Sequence, residues 1–318
     1  MAGDASPRTV TDLEDIDMDV LGIAYLGFES PKSEEWQTFG PEVLGLELAP
    51  PVDGDRTVRL RMDDRRWRLA FHPGDSDRLA YVGWQVKSRP SFEDAVRALE
   101  TKGVHVKRGD EKLAAERGVR DVAAFADPAG YRHELIYGQK FDPGSFIPGR
   151  PHRGFVGDND GVGHVVIAVP SYDDALDRFW GETMGFVWFG SGAGGGKAGF
   201  YRAPLSNLSH SIGIVQVPGR FGIHHVGMAV RRIEDVGIVS DLCKKRGIPL
   251  QMTMGQHVQD PVVSTYLFTP SSFIIEYLSP VGKTESVEDF VEPNPEKLSI
   301  WGHEIVGPMM PETVRPVA

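Results

Sequence analysis

His164 in GVGHVVIAVP and His225 in FGIHHVGMAV each stand at the head of an apolar, strand-like run, and Glu276 interrupts a third such run, FIIEYL. An unpaired carboxylate buried in an apolar strand is costly, so an acid at this place asks for a cation. Two imidazoles and one carboxylate converging from different strands would cover one face of a divalent metal ion and leave its other positions open to reactants. That is the ligand set of non-haem Fe(II) oxygenases, and Mn(II) accepts it too. The adjacent His224 poses a choice. Neighbours on a strand point to opposite faces, so only one of the two histidines should face the site.

The elements that must position these residues recur along the chain. Four segments, AYLGFESPKSEEWQTFGPEVLGL, AYVGWQVKSRPSFEDAVRALETKG, GHVVIAVPSYDDALDRFWGETMGF and HHVGMAVRRIEDVGIVSDLCKKRG, each open with a short β-rich run and continue into a helical pattern. Ser91 is the expected helix cap in the second and Ser171 in the third, where Leu176, Phe179 and Trp180 recur at helical spacing and Gly185 ends the helix. In the fourth, KKRG puts basic residues in the last turn with Gly247 beyond. Short strand-like runs follow each helix, so the unit reads as β-α-β-β-β repeated four times, an α+β chain. Aligning the units sets Tyr25, Tyr81, His164 and His225 at equivalent positions. The same alignment selects the second histidine of the pair and predicts that His224 points away. DPAGYRHELIYG and TPSSFIIEYLSP likewise set Glu134 against Glu276. Both matching histidines fall in the second half of the chain, which therefore reads as the site, and the first half as scaffold.

Composition narrows the class. The chain has 318 residues, 41% of them hydrophobic, and a formal net charge of -11, which suits about two domains. The expected organisation is a flexible leader over 1–18, an N-terminal domain of two modules over 19–145, a polar, proline-bearing linker, a catalytic domain over 158–282 and a tail over 283–318 that packs near the site. Excess negative charge argues against a nucleic-acid partner, and the lack of a run of about 18 apolar residues against a membrane span. The lone Cys243, read as a buried helix residue, excludes an internal disulfide and fits a cytoplasmic enzyme acting on a small molecule.

From about residue 20 to about residue 303 the chain resembles the type I extradiol ring-cleaving dioxygenases of the vicinal oxygen chelate superfamily, most of all the 2,3-dihydroxybiphenyl 1,2-dioxygenases. The resemblance is carried by FADPAGYRHELIYG, GVGHVVIAVP, GQHVQDPVVSTYLFTPSSFIIEYLSP and the late SIWGHE. It implies two glyoxalase-like domains, Fe(II) held by His164, His225 and Glu276, and O2 as co-substrate for cleavage of a substituted or polycyclic catechol of the 2,3-dihydroxybiphenyl or 1,2-dihydroxynaphthalene type. It also implies His210 as a base beside the metal, His257 and Tyr266 as further catalytic groups, Asp260 among the polar groups around the catechol, and a homo-oligomer. A catechol that chelates iron must lose protons, which a neutral imidazole such as His210 can accept. His257 and Tyr266 can donate to its oxygens.

Departures from the family pattern bear on substrate. Gly213 stands where alanine is common, near the oxygen side of the site, and should widen that space, and Val166 is expected among the substrate-binding residues. Gln259 replaces a shorter asparagine, Leu298 stands near a pocket position that holds proline in the biphenyl enzymes, and Arg202 falls near a usually apolar place, where it would serve as counter-ion to a carboxylate-bearing catechol. GSGAGGGKAG lacks the phosphate-loop pattern and reads as a flexible loop near the entrance. Glyoxalases and fosfomycin-resistance enzymes use the same modules and are the alternative, but they have no use for His210, His257 and Tyr266 together.

Overall fold

The computed structural model describes residues 18–157, 160–192, 196–260, 262–280 and 296–317. Nearly all of the expected leader, part of the glycine-rich loop and the start of the tail lie outside the described residues. Among the described residues no helix is long and apolar enough to cross a membrane.

Each repeat folds as its pattern requires. The first supplies β1 (Val20–Ser30), α1 (Trp36–Phe39), β2 (Glu47–Leu48), β3 (Val58–Arg61) and β4 (Leu69–Pro73). In the second come β5 (Arg78–Val86), α2 (Arg89–Thr101), β6 (Lys107–Arg108), α3 (Glu111–Arg117), β7 (Asp121–Ala126) and β8 (Arg132–Tyr137). Next are β9 (Gly163–Val169), α4 (Asp174–Arg178), β10 (Val187–Gly190), β11 (Ala198–Arg202) and β12 (Ile212–Gln216). The fourth repeat holds β13 (Arg220–Ala229), α5 (Ile233–Arg246), β14 (Leu250–His257), β15 (Val262–Phe268) and β16 (Ile274–Pro280), followed by β17 (Ser299–Gly302) and β18 (Arg315–Pro316). The βαβββ unit thus occurs four times, with α3 added to the second.

Pairs of repeats share a sheet. The strand orders β2-β3-β4-β1-β5-β8-β7-β6 and β10-β11-β12-β9-β13-β16-β15-β14-β17 are two copies of one pseudo-symmetric plan. In each, the first strands of two modules meet antiparallel at the centre, and each first strand pairs in parallel with the last strand of its own module. Residues at the heads of the modules are therefore drawn to the middle of a sheet, where pairing on both edges excludes water. Helices cover the opposite face: in α2, Phe92, Ala95, Val96 and Leu99 are buried at helical spacing. Two caps differ from expectation. Ser88, not Ser91, caps α2, its hydroxyl accepting from the Ser91 amide. Asp173, not Ser171, caps α4, accepting from the amides of Ala175 and Leu176, because an ionised side chain at this place also complements the helix dipole. Gly247 caps α5 at positive φ, whereas α4 runs on through a π-helical turn, Phe179–Thr183, capped by Met184, and Gly185 follows that cap at positive φ. Cys243 is buried in α5.

The first half contains a counterpart of the site without its histidines. Tyr25 donates to Glu134 Oε2 at 2.8 Å, Arg117 Nε donates to the same oxygen at 2.8 Å, and the Arg117 guanidinium lies 3.8 Å from the Tyr81 ring centroid. The buried acid is neutralised by the chain's own cation, with Arg132 bonding its other oxygen. Arg117→Met should therefore cost about 3 kcal/mol, as expected when one partner of a buried pair is removed. Urea melts would read this, and Arg117→Met with Glu134→Leu should recover most of it. Equal stability of wild type and Arg117→Met would show that this pair does not hold the first half together.

Candidate metal centre and active site

In the second half the same sheet positions hold His164, His225 and Glu276. Across three central strands, Gly227 lies opposite His164 on one side and Glu276 on the other. A Cβ at Gly227 would lie 2.1 Å from the His164 ring, so only glycine leaves room for the imidazole to cross β13 and reach the carboxylate. His225, two residues before Gly227, brings its ring to the same point. His164 Nε2 is 3.0 Å from Glu276 Oε2 and 3.3 Å from His225 Nε2, and His225 Nε2 is 3.7 Å from Glu276 Oε2. All three donors lie within 4.8 Å of one another.

These residues fit a divalent ion. Ligand atoms at right angles on bonds of about 2.1 Å lie about 3.0 Å apart, close to the separations found. Glu276 Oε1 faces His257 Nε2 at 3.3 Å and Oε2 faces His164 and His225. A divalent ion at the point Oε2 shares with the two imidazoles would supply the charge that a buried carboxylate needs. Burial alone would raise the Glu276 pKa, but hydrogen bonds and charge from His164 and His257 hold it well below the usual carboxylate range. Burial, then neighbouring His224 and His164, hold the His225 pKa well below its ordinary value and keep the ring neutral, as a metal ligand must be.

His224 does not simply point away. Pairing of β13 with β9 shifts register between Ile223 and His225, and the bulge breaks strict alternation. His224 Nε2 lies 2.9 Å from the Met309 carbonyl, which can only accept, so Nε2 carries hydrogen. Its Nδ1 then accepts from His225 Nδ1 at 2.8 Å, which leaves the lone pair of His225 on Nε2, facing the other donors. Partners of this kind typically contribute 10- to 100-fold to metal affinity. His224→Phe is expected to weaken Fe(II) binding by that factor in a chelator competition, and His224→Gln to restore part of it. Unchanged affinity in both would remove His224 from the site.

Polar groups flank the three donors on two sides. On one, the His210 ring is 4.2 Å from that of His164. Ser209 donates to Asp260 Oδ2 at 2.6 Å, so its oxygen is free to accept from His210 Nδ1 at 3.0 Å, leaving His210 Nε2 unprotonated. Burial and the nearby His164 hold the His210 pKa well below its ordinary value, and burial raises that of Asp260. On the other side, Tyr266 lies opposite Glu276 on β15, its hydroxyl 2.8 Å from His257 Nε2. His257 donates from Nδ1 to the Leu298 carbonyl at 3.1 Å. Burial would lower the His257 pKa, but Glu276 outweighs it and raises it, so this imidazole can act as a proton donor.

The remaining candidates divide. Val166 is opposite His225 and beside Gly213. The space expected beside Gly213 is filled: a Cβ there would meet Phe200 at 2.6 Å and Val166 at 2.9 Å, because alternation along β11 turns Phe200 to the same face. Gln259 lies half-buried in the turn between β14 and β15. Leu298 enters through its carbonyl, with a side chain 39% exposed. Arg202 lies at the end of β11, buried. Residues not anticipated are Ser209, His303, Phe189 and Phe200. The His303 ring is 4.4 Å from that of His257, and Phe200 and Phe189 pack on His210 with centroids at 5.1 and 6.0 Å. Only the alternation of AGFYR and the single histidine of SIWGHE hinted at them.

Paired βαβββ repeats with three metal-binding donors at the centre of one sheet define a metal-dependent enzyme of the vicinal oxygen chelate fold. The family described as dihydroxybiphenyl dioxygenase BphC D1 matches residues 23–74. A biphenyl-2,3-diol 1,2-dioxygenase of Metapseudomonas furukawaii is 32% identical over 299 residues, covering 91% of this chain and 95% of the relative. An iron-dependent extradiol dioxygenase of Rhodococcus jostii (strain RHA1) is 29% identical over 304 residues, covering 92% and 100%. The crystal structure of BphC, a halotolerant catechol dioxygenase, matches with a TM-score of 0.86 and 35% identity over 95% of this chain and 100% of that one. The chain belongs to the extradiol ring-cleaving dioxygenases of the biphenyl-2,3-diol 1,2-dioxygenase family, as its motifs led one to expect, and the glyoxalase-type alternative gives way.

Proposed function

We propose that the enzyme uses Fe(II) held by His164, His225 and Glu276 to cleave, with O2, the ring of a catechol bearing a bulky or fused substituent. The observation that carries this reading is the convergence of two imidazole nitrogens and a buried carboxylate oxygen on one point. Iron is favoured over Mn(II) by the relative named iron-dependent, and the substrate class by the relative named for biphenyl-2,3-diol. When bound, the ion supplies Lewis acidity toward the catechol hydroxyls and an electron path to O2. The chain's own residues do the rest. His210, neutral and unprotonated at Nε2, accepts a catechol proton, while Asp260 and Ser209 hold its ring. Tyr266 and His257 donate hydrogen bonds to substrate oxygens on the opposite flank and stabilise charge as it develops. Val166, Phe200 and Phe189 offer the ring an apolar wall, with Gln259 and Leu298 at its margin and Gly213 behind it.

In the same reading, 19–145 is a scaffold domain and 158–282 the catalytic one, and the tail packs near the site from its described part, through the carbonyls of Leu298 and Met309. Exposed Ile300, Trp301, Ile305 and Val306 support assembly into a homo-oligomer, and the free buried cysteine supports a cytoplasmic location.

The test is O2 uptake and product absorbance after anaerobic loading with Fe(II) or Mn(II), offering 2,3-dihydroxybiphenyl, 1,2-dihydroxynaphthalene and 3-methylcatechol. Stoichiometric uptake with a yellow product cleaved beside the diol, for the Fe(II) form and the larger catechols, is the expected result. Cleavage between the two hydroxyl-bearing carbons, or no uptake with iron bound, would overturn it.

A further inference from the structure

Five arginines are buried among the described residues, and four of them are paired with acids. Arg59 meets Asp55, Arg61 meets Glu47, Arg68 meets Asp63 and Arg117 meets Glu134. Arg202 is the exception. It is 8% exposed, its Nε is buried without a hydrogen bond, and burial is the one influence acting on its charge, pushing its pKa down. An unpaired guanidinium in such a place is expensive to keep, and arginine cannot escape by losing its proton.

Strand register shows which way it faces. Phe200 lies opposite Gly213 on β12, and Gly213 is beside Val166 on β9, which in turn lies opposite His225. Arg202 follows Phe200 by two residues, so its side chain leaves the same face of the sheet, while Tyr201 between them turns to Tyr172 on the other. The two-residue step along β11 runs toward the end of β9 that carries His164. Arg202 therefore stands in the row of His164, two strands away, or about 10 Å across the sheet. A substituent carried along this face by a catechol at the three donors would meet it in that row.

We infer that Arg202 receives an anionic oxygen group, a carboxylate carried on the ring substituent of the catechol. The inference rests on the catechol reading above and adds the chemistry of the substituent. The flat guanidinium fork matches a carboxylate through two parallel hydrogen bonds, and the bound anion supplies the charge that the four other buried arginines find within the chain. Phe189 and Phe200, by contrast, offer the reacting ring only apolar surface, so discrimination by the charge of the substituent falls to Arg202.

The probes are 3-(2,3-dihydroxyphenyl)propanoate and its primary amide, which share shape and differ in charge. With Fe(II)-loaded enzyme, the acid should exceed the amide in kcat/KM by roughly 10- to 100-fold, the usual worth of a hydrogen bond to a charged group. The same ratio should appear in anaerobic binding by calorimetry. In Arg202→Gln the ratio should fall to about 1, chiefly through KM for the acid, and Arg202→Lys should retain part of it. Equal use and equal binding of acid and amide by the wild type would overturn the inference without requiring any variant to fold, as would a preference that survives Arg202→Gln. Loss of ring cleavage on both probes with the binding preference intact would instead count against the ring-cleaving reading and leave the anion receptor standing.

Discussion

Glu276→Gln is expected to weaken Fe(II) binding by more than the 10- to 100-fold that an outer partner contributes and to bring ring cleavage to background. The carboxylate is the single anionic donor among the three residues, and the amide that replaces it presents a neutral oxygen to the ion. Shape is conserved, so the row of His164, Gly227 and Glu276 across the sheet should survive. Stability supplies an independent readout. Without metal, His164 and His257 hold the Glu276 carboxylate ionised, so a variant that loses this charge should melt below metal-free wild type. Added Fe(II) should raise the melting temperature of wild type, since a ligand that binds only the folded state stabilises it in proportion to the logarithm of its occupancy, and should leave the variant unmoved. Stoichiometric iron retained by Glu276→Gln after desalting would remove this residue from the metal site.

His210→Gln should leave iron content intact and lower kcat by about 100- to 10,000-fold, the range that a positioned acid or base contributes. Its ring packs on His164 and on Phe200 but supplies no donor to the three-residue cluster. Because Ser209 gives its proton to Asp260 and accepts from His210 Nδ1, the lone pair of His210 is turned away from these two and toward the reacting space. Glutamine keeps the hydrogen bond to Ser209 through its amide but offers no basic nitrogen. Steady-state kinetics with iron quantified in the same samples would separate the two effects. A fall in activity that tracks iron content would make His210 a prop for His164; unchanged kcat would deny it any part in proton transfer.

Much of the site was legible along the chain because the fold is a repeat. Tyr25, Tyr81, His164 and His225 fall at one place in four copies of a unit, and that periodicity is carried by residues close in sequence. It was enough to pick His225 over His224 and to match Glu276 with Glu134. The strand order of the two sheets repeats with the same period. Less legible were features that depend on pairing between distant strands. The bulge at Ile223 to His225 turned His224 from a bystander into the group that sets the tautomer of its neighbour. Phe200 filled the room that Gly213 was expected to open, and Leu298 joined the site through a carbonyl, for which side-chain type gives no signal.

The sequence by itself determined which residue types stand at the heads and ends of the modules, and with them the chemistry open to the chain: two imidazoles and an acid for a metal, and further histidines and a tyrosine for proton and hydrogen-bond work. Tertiary structure decided how those groups are used. His164 and His225 are 61 residues apart, and only cross-strand register puts glycine between His164 and Glu276 so that the donors can meet. Protonation at His210, His224 and His225 is likewise a property of partners supplied by other elements, Met309 from the C-terminal segment among them. The same division explains Arg202. Its charge is written in the chain, but that it is buried, turned to the face of the metal ligands and without an acid partner among the described residues is a consequence of strand alternation and packing.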